Sequence, residues 1–147
     1  AGRTIIFYFR QGGGFMIPRG LITEEIEIKI QPSLQHKMNL EREFISGKCD
    51  GAEAMKQVIY KILLTERYKN LIYSWRYGVE LSDLFGKPAG AVTGLIESRI
   101  REALIQDDRI NSVESFKFDT SKRGVVITSF TAKTIFGDID ITKEVAV

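Results

Sequence analysis

The chain has 147 residues, 21 basic and 19 acidic side chains and a formal net charge of +2, with 44% apolar and 27% charged residues. That is the length of one domain, able to bury roughly 70% of its unfolded surface, and the composition of an ordered globular protein rather than a disordered one. Interleaved charge signs exclude a strongly basic nucleic-acid module, no apolar run nears the roughly 20 residues of a membrane span, and the single cysteine, Cys49, excludes an internal disulfide or a thiolate cluster and fits synthesis in a reducing cytosol.

Residues 1–15 read as an N-terminal segment that is flexible or foreign to the natural protein. The apolar run Thr4 to Phe9 is too short for a secretory h-region with a cleavage site, and Gln11-Gly12-Gly13-Gly14 follows it before Met16, a natural start. The run has strand composition and equally suits pairing with an open sheet edge. The expected single domain spans residues 16–147.

Ile22 to Ile30 alternates, with Ile26, Ile28 and Ile30 on one side and Glu25, Glu27 and Lys29 on the other, as in a half-buried strand. Pro32 breaks it, since proline donates nothing to a ladder. Leu34 to Leu40 and Glu43 to Ser46 read as two short strands joined by a polar turn at Glu41-Arg42. Asp50 then opens a helix, with Glu53 at capping-box spacing. Met55, Val58, Ile59, Ile62 and Leu63 recur at helical period to about Glu66.

The aromatic stretch Tyr68 to Gly78 contains a strand candidate at Leu71-Ile72-Tyr73, and Ser82 is placed to cap one helical turn carrying Leu84 and Phe85. A second long helix runs from about Pro88 to Gln106. Its apolar stripe is Val92, Ile96, Ile100, Ala103 and Leu104, and Glu97 precedes Arg101 at ion-pair spacing. Gly90 and Gly94 suggest close packing. Three strands end the chain: Ile110 to Phe118, Val125 to Phe136 and Ile139 to Val145, with turns at residues 119–124 and at Gly137-Asp138. The expected class is α+β: a largely antiparallel sheet with two main helices on one face and a C-terminal three-stranded meander.

Reactive chemistry finds little footing. His36 is the sole histidine, and no triad or metal motif surrounds it, so it reads as a polar strand residue. Cys49 precedes a helix start, where a thiolate can be stabilised, but a small buried thiol is the commoner role. Gly12-Gly13-Gly14 lacks the Gly-Lys-Ser/Thr ending of a phosphate loop. Asp107-Asp108-Arg109 is the most acidic spot, yet adjacent residues at a helix end diverge, which favours a helix stop with a salt bridge. No catalytic residue, cofactor or metal is expected.

The central residues are specific in their order. Asp50-Gly51-Ala52-Glu53-Ala54-Met55-Lys56-Gln57, Thr65-Glu66-Arg67-Tyr68, Ile72-Tyr73-Ser74-Trp75, Tyr77-Gly78-Val79-Glu80-Leu81, Gln106-Asp107-Asp108-Arg109-Ile110 and Ile135-Phe136-Gly137-Asp138-Ile139 follow one another closely. Over about Leu34 to Val145 this set resembles the XkdS-like proteins of contractile phage tails and prophage particles, within a wider group of baseplate wedge proteins once labelled lysozyme-like. The resemblance implies a structural wedge component that sits near the tail tube and helps seed the first ring of the sheath. Implied partners are other wedge proteins and the sheath and tube proteins, with self-association also open; nucleic acid and membrane are not among them. The implied location is the host cytoplasm during synthesis, then the baseplate. Relatives often carry a Glu-Pro-Arg-like element before an aromatic-glycine pair. Ser74-Trp75-Arg76-Tyr77-Gly78 keeps the aromatic and glycine without the proline.

Aromatic and arginine side chains dominate interface hot spots, so the expected interface is Arg67, Tyr73, Trp75, Arg76, Tyr77, Gly78 and Glu80, with Asp107, Asp108 and Arg109. The plain alternative is that Trp75 and Tyr77 close the core over a turn. The last strand, as a sheet edge, is a second candidate surface. The competing function is a cell-wall hydrolase using Glu66 or Asp83 with Asp107.

Overall fold

The computed structural model describes residues 30–39 and 43–147. Residues 1–15, all but the last residue of the expected strand over Ile22–Ile30, and the turn at Glu41-Arg42 lie outside these. The element order is β1 (Gln35–Asn39), β2 (Phe44–Cys49), α1 (Gly51–Leu64), a single 3-10 turn (Ser82–Leu84), α2 (Ala89–Ile105), β3 (Ile110–Asp119), β4 (Val125–Thr134) and β5 (Gly137–Ala146). β1 and β2 form an antiparallel pair of their own, and β3-β4-β5 form the antiparallel meander. The α+β class is as expected, with the hairpin standing as a separate small sheet.

α1 begins where Asp50, in extended backbone, accepts the Gly51 N–H at 2.7 Å and the Ser33 hydroxyl. The anticipated capping box does not close, because Glu53 turns to Lys37 Nζ at 2.6 Å. The helical spacing buries Met55, Ile59, Ile62 and Leu63 as anticipated. Gln57, on α1, does the work of a neighbouring strand: its Oε1 accepts the Met38 N–H at 2.8 Å and its Nε2 donates to the His36 carbonyl at 2.7 Å. Cys49 is buried beside it, its Sγ 3.8 Å from the same Oε1.

α2 buries the stripe read from its spacing, Val92, Ile96, Ile100, Ala103 and Leu104, and the Glu97–Arg101 pair forms at 2.8 Å. Gly90 and Gly94 do not serve close packing, since a Cβ at either would meet open space.

Two expectations in the middle are corrected. Leu71-Ile72-Tyr73 is not a strand: the Tyr73 N–H is taken by the Asn70 carbonyl at 3.2 Å and the Tyr77 N–H by the Ser74 carbonyl at 3.0 Å, closing local turns instead of a ladder. Ser82 does not cap the 3-10 turn. Its own N–H and that of Leu81 are both received by the Glu66 carboxylate at 3.3 Å. Of the residues on that turn, Leu84 enters the core while Phe85 stays exposed.

In the meander, β4 alternates strictly, burying Val126, Thr128, Phe130, Ala132 and Thr134, while β5 buries Ile139 and Val145 and exposes Asp140, Thr142 and Glu144. The last turn falls at residues 135–136, two residues earlier than expected, and Gly137 already pairs with Thr134. The Thr134 hydroxyl donates to the Gly137 carbonyl at 2.7 Å and accepts the Phe136 N–H at 3.2 Å, and Gly137 takes a φ of +113° that favours glycine. α2 packs on β3 and α1 on β5, so both helices cover the same sheet around Met55, Ile59, Ile96, Ile100, Leu104, Val113 and Val126.

One polar atom in that core has no partner among the described residues, the fully buried Thr128 hydroxyl between Val126 and Phe130. Leaving a hydroxyl unsatisfied costs on the order of 1–3 kcal/mol. Thr128→Val is therefore expected to stabilise the fold by about 1 kcal/mol, read as a raised urea midpoint with an unchanged slope.

Candidate protein interface

The loop between α1 and the 3-10 turn is tied at its neck. Glu66 and Val79 form a parallel bridge, with the Val79 N–H donating to the Thr65 carbonyl at 3.0 Å and the Arg67 N–H to the Val79 carbonyl at 3.2 Å. Arg67 runs inward through this neck, its side chain only 8% exposed. Its Nε donates to the Gly78 carbonyl at 3.1 Å, and its Nη1 meets Glu102 of α2 at 2.9 Å and Glu80 at 3.5 Å. Gly78 is required here. Its φ is +93°, and a Cβ would lie 2.5 Å from the Thr65 carbonyl oxygen.

Beyond the neck the side chains turn outward. Leu71 and Ile72 are almost wholly exposed, Tyr68 is 65% exposed at a φ of +65°, and Trp75 is 66% exposed. The Arg76 guanidinium lies over the Trp75 ring at 4.7 Å, and Tyr73 stacks on Tyr77 at 4.8 Å. Such pairs fix the orientation of side chains that would otherwise lose entropy on contact. Tyr77 is half-buried, and burial, with Tyr73 and Asp107 beside it, raises its hydroxyl pKa.

Asp107 and Arg109 form an internal strut. The Arg109 Nη2 is 2.6 Å from Asp107, both side chains are at most 10% exposed, and the Arg109 Nη1 donates to the Pro32 carbonyl at 2.9 Å. Burial pushes the Asp107 carboxyl up, but Arg109 more than offsets this and holds it below its ordinary value. Asp108, at the surface, accepts the Gln31 N–H at 3.3 Å.

The expected interface residues thus fall into two settings. Arg76, Tyr77, Asp107 and Arg109 line one cleft of ≈390 Å³, and Arg67, Trp75 and Arg76 share a smaller one with Glu102 and Gln106. Tyr73, Trp75 and Arg76 are presented outward. Arg67, Gly78, Asp107 and Arg109 lie inside as supports, with Glu80 beside Arg67 at the neck.

The carboxylates weighed for hydrolysis do not converge on a common site. Glu66 holds two backbone amides. Asp83 is gripped by both terminal nitrogens of Arg99, whose hydrogen bond outweighs the opposing effect of burial and, with the charges of Arg99 and Lys87, pulls its pKa down to about 2. Asp107 is committed to Arg109. Among the described residues no three acidic, histidine or cysteine side chains gather as for a metal, and no helix is long and apolar enough to cross a membrane.

Residues 33–137 match the family of contractile injection system sheath initiators. The chain belongs to that family. It is also 35% identical over 126 residues to the phage-like element PBSX protein XkdS of Bacillus subtilis (strain 168), covering 80% of this chain and 88% of that protein. A solved structure from Geobacter sulfurreducens, described as a proposed tail lysozyme, shares the fold with a TM-score of 0.52 at 19% identity, over 64% of this chain and 91% of its own. Sheath-initiator membership supports a structural role in a phage tail, with sheath and baseplate components as partners, in accord with the resemblance read from the sequence.

Leu71 and Ile72 are the loop residues that the sequence reading missed, because two consecutive aliphatics were assigned to a strand. The signal was available in Lys69-Asn70 just before them, since asparagine favours turns. The neck yields a test: Gly78→Ala is expected to lower stability by about 2–4 kcal/mol in chemical unfolding, as the added methyl collides with backbone that no rotamer change can move.

Proposed function

We propose that the chain is a wedge subunit of a contractile tail baseplate, joining neighbouring wedge proteins and offering the first ring of sheath subunits a docking surface. The observation that carries this reading is the loop of Leu71, Ile72, Trp75 and Arg76, apolar and exposed at its tip yet held at its neck by backbone pairing and by buried Arg67. A rigid apolar projection loses little entropy on contact, and covering each large side chain is worth about 1.5–3 kcal/mol. The ionised partners of Asp83 and Asp107 favour a structural over a hydrolytic role, because a glycosidase acid must keep its proton near neutral pH.

A second contact surface in this reading is the edge of β5, the outer strand of the meander, which pairs with no other strand among the described residues. The Val147 N–H reaches the Gly124 carbonyl at 3.0 Å, so with the observed register the backbone groups of Ile139, Ile141, Lys143 and Val145 face β4. Those of Asp138, Asp140, Thr142, Glu144 and Ala146 face outward, as strand pairing from a neighbour requires.

The test is co-purification with the tail proteins encoded alongside, followed by mass measurement of the complex. Trp75→Ala with Arg76→Ala is expected to leave unfolding cooperative while weakening assembly at least tenfold. The same preparation is expected to leave peptidoglycan intact. Loss of the fold in the double variant would make these residues core, and clearing abolished by Glu66→Gln would make the chain a hydrolase.

A further inference from the structure

Beside the outer edge of β5 runs a groove of ≈830 Å³, walled by Tyr60, Leu63 and Leu64 of α1 and by Ile141 of β5. Two of its carboxylates already have cations: Glu53 pairs with Lys37 at 2.6 Å and Glu144 meets Lys122 at 3.4 Å, while Asp140, exposed on the outer side of β5, accepts only from the neutral Thr131 hydroxyl at 2.7 Å. Two ammonium groups are left over, those of Lys56 and Lys143, neither of which has a carboxylate partner among the described residues.

Lys143 is the more telling. It stands on the inner side of β5, in the alternating set with Ile139, Ile141 and Val145 that turns toward α1, where an aliphatic residue would be expected. Its ammonium is half-buried, and burial alone lowers its pKa. A partly desolvated cation with no counter-charge is a cost to the folded chain, and a carboxylate brought into the groove would relieve it.

The register defines where that carboxylate comes from. A strand laid against the outer edge of β5 sets alternate side chains beside Ile141 and Lys143 in the groove. The intervening ones lie beside Asp138, Asp140, Thr142 and Glu144 on the outer face. We propose that this groove receives an extended segment of a neighbouring tail protein that carries an aliphatic side chain next to Ile141, an aspartate or glutamate next to Lys143 within reach of Lys56, and basic residues on its outer face. This rests on the reading of the β5 edge as a docking surface and adds the chemistry by which the edge selects its partner.

The experiment uses the full chain and two synthetic peptides of alternating aliphatic and lysine residues, identical except for Glu or Gln at the central inward position. Anisotropy titrations at low salt are expected to show the Glu peptide binding roughly tenfold tighter than the Gln peptide. Lys143→Met should erase that preference while holding the Gln peptide within about twofold. The variant is expected to melt no lower than the parent, since methionine removes an unpaired charge from an apolar wall. Equal binding of both peptides to the parent, or a preference that survives Lys143→Met, overturns the carboxylate assignment and leaves strand docking intact. Binding of neither peptide removes strand docking at this edge, and the assignment with it.

Discussion

The buried guanidinium of Arg67 is the contact on which the presented surface depends. It joins the loop's return strand through Gly78, the residue after the neck through Glu80, and α2 through Glu102. Without it the neck would keep only its two backbone hydrogen bonds and the Glu66 carboxylate on the Leu81 and Ser82 amides, and nothing would tie the loop to α2 through Glu102. An arginine suits the position because its fixed fork serves a carbonyl and two carboxylates at once, which a lysine ammonium cannot match in geometry. The ordering of the tip is thus decided by a charge that is hardly exposed.

The same division of labour recurs at the end of α2. Asp107 and Arg109 satisfy one another in a nearly dry setting and use the remaining guanidinium nitrogen to hold the Pro32 carbonyl, far away in sequence. Arg99 likewise links Asp83 to the Glu80 carbonyl. Three arginines therefore brace the irregular half of the molecule, where there is no sheet to satisfy backbone polar groups. The regular half, α2 on the meander, is held by aliphatic packing.

The regular half was also the legible half. The stripes of α1 and α2 and the alternation of β5 follow from period alone, because burial on one face leaves a repeating mark in the chain. What escaped was local. Leu71-Ile72 carries strand composition but has no neighbour to pair with. Ser82 has cap chemistry, but Glu66 reaches its amide from another turn. Glu53 is at capping-box spacing but finds Lys37. At Ser82 and Glu53 a long-range polar partner outcompeted a short-range preference, and such partners leave no periodic trace; at Leu71-Ile72 local turns took the backbone groups a ladder would have used. The interface residues were found by type, as aromatics and arginines, yet type does not separate Trp75, which points out, from Arg67 and Arg109, which point in.

The hairpin β1–β2 has a different kind of attachment. β2 is exposed along almost all its length, and β1 is fastened to α1 by the side-chain amide of Gln57, by Gln35, which donates to the Ala54 carbonyl and accepts from Lys61, and by the Lys37–Glu53 pair. The chain's sole thiol lies under that fastening. Cys49, buried there, would be shielded from alkylating reagents while the hairpin is seated, and the rate of its modification would report any opening of this small sheet short of global unfolding.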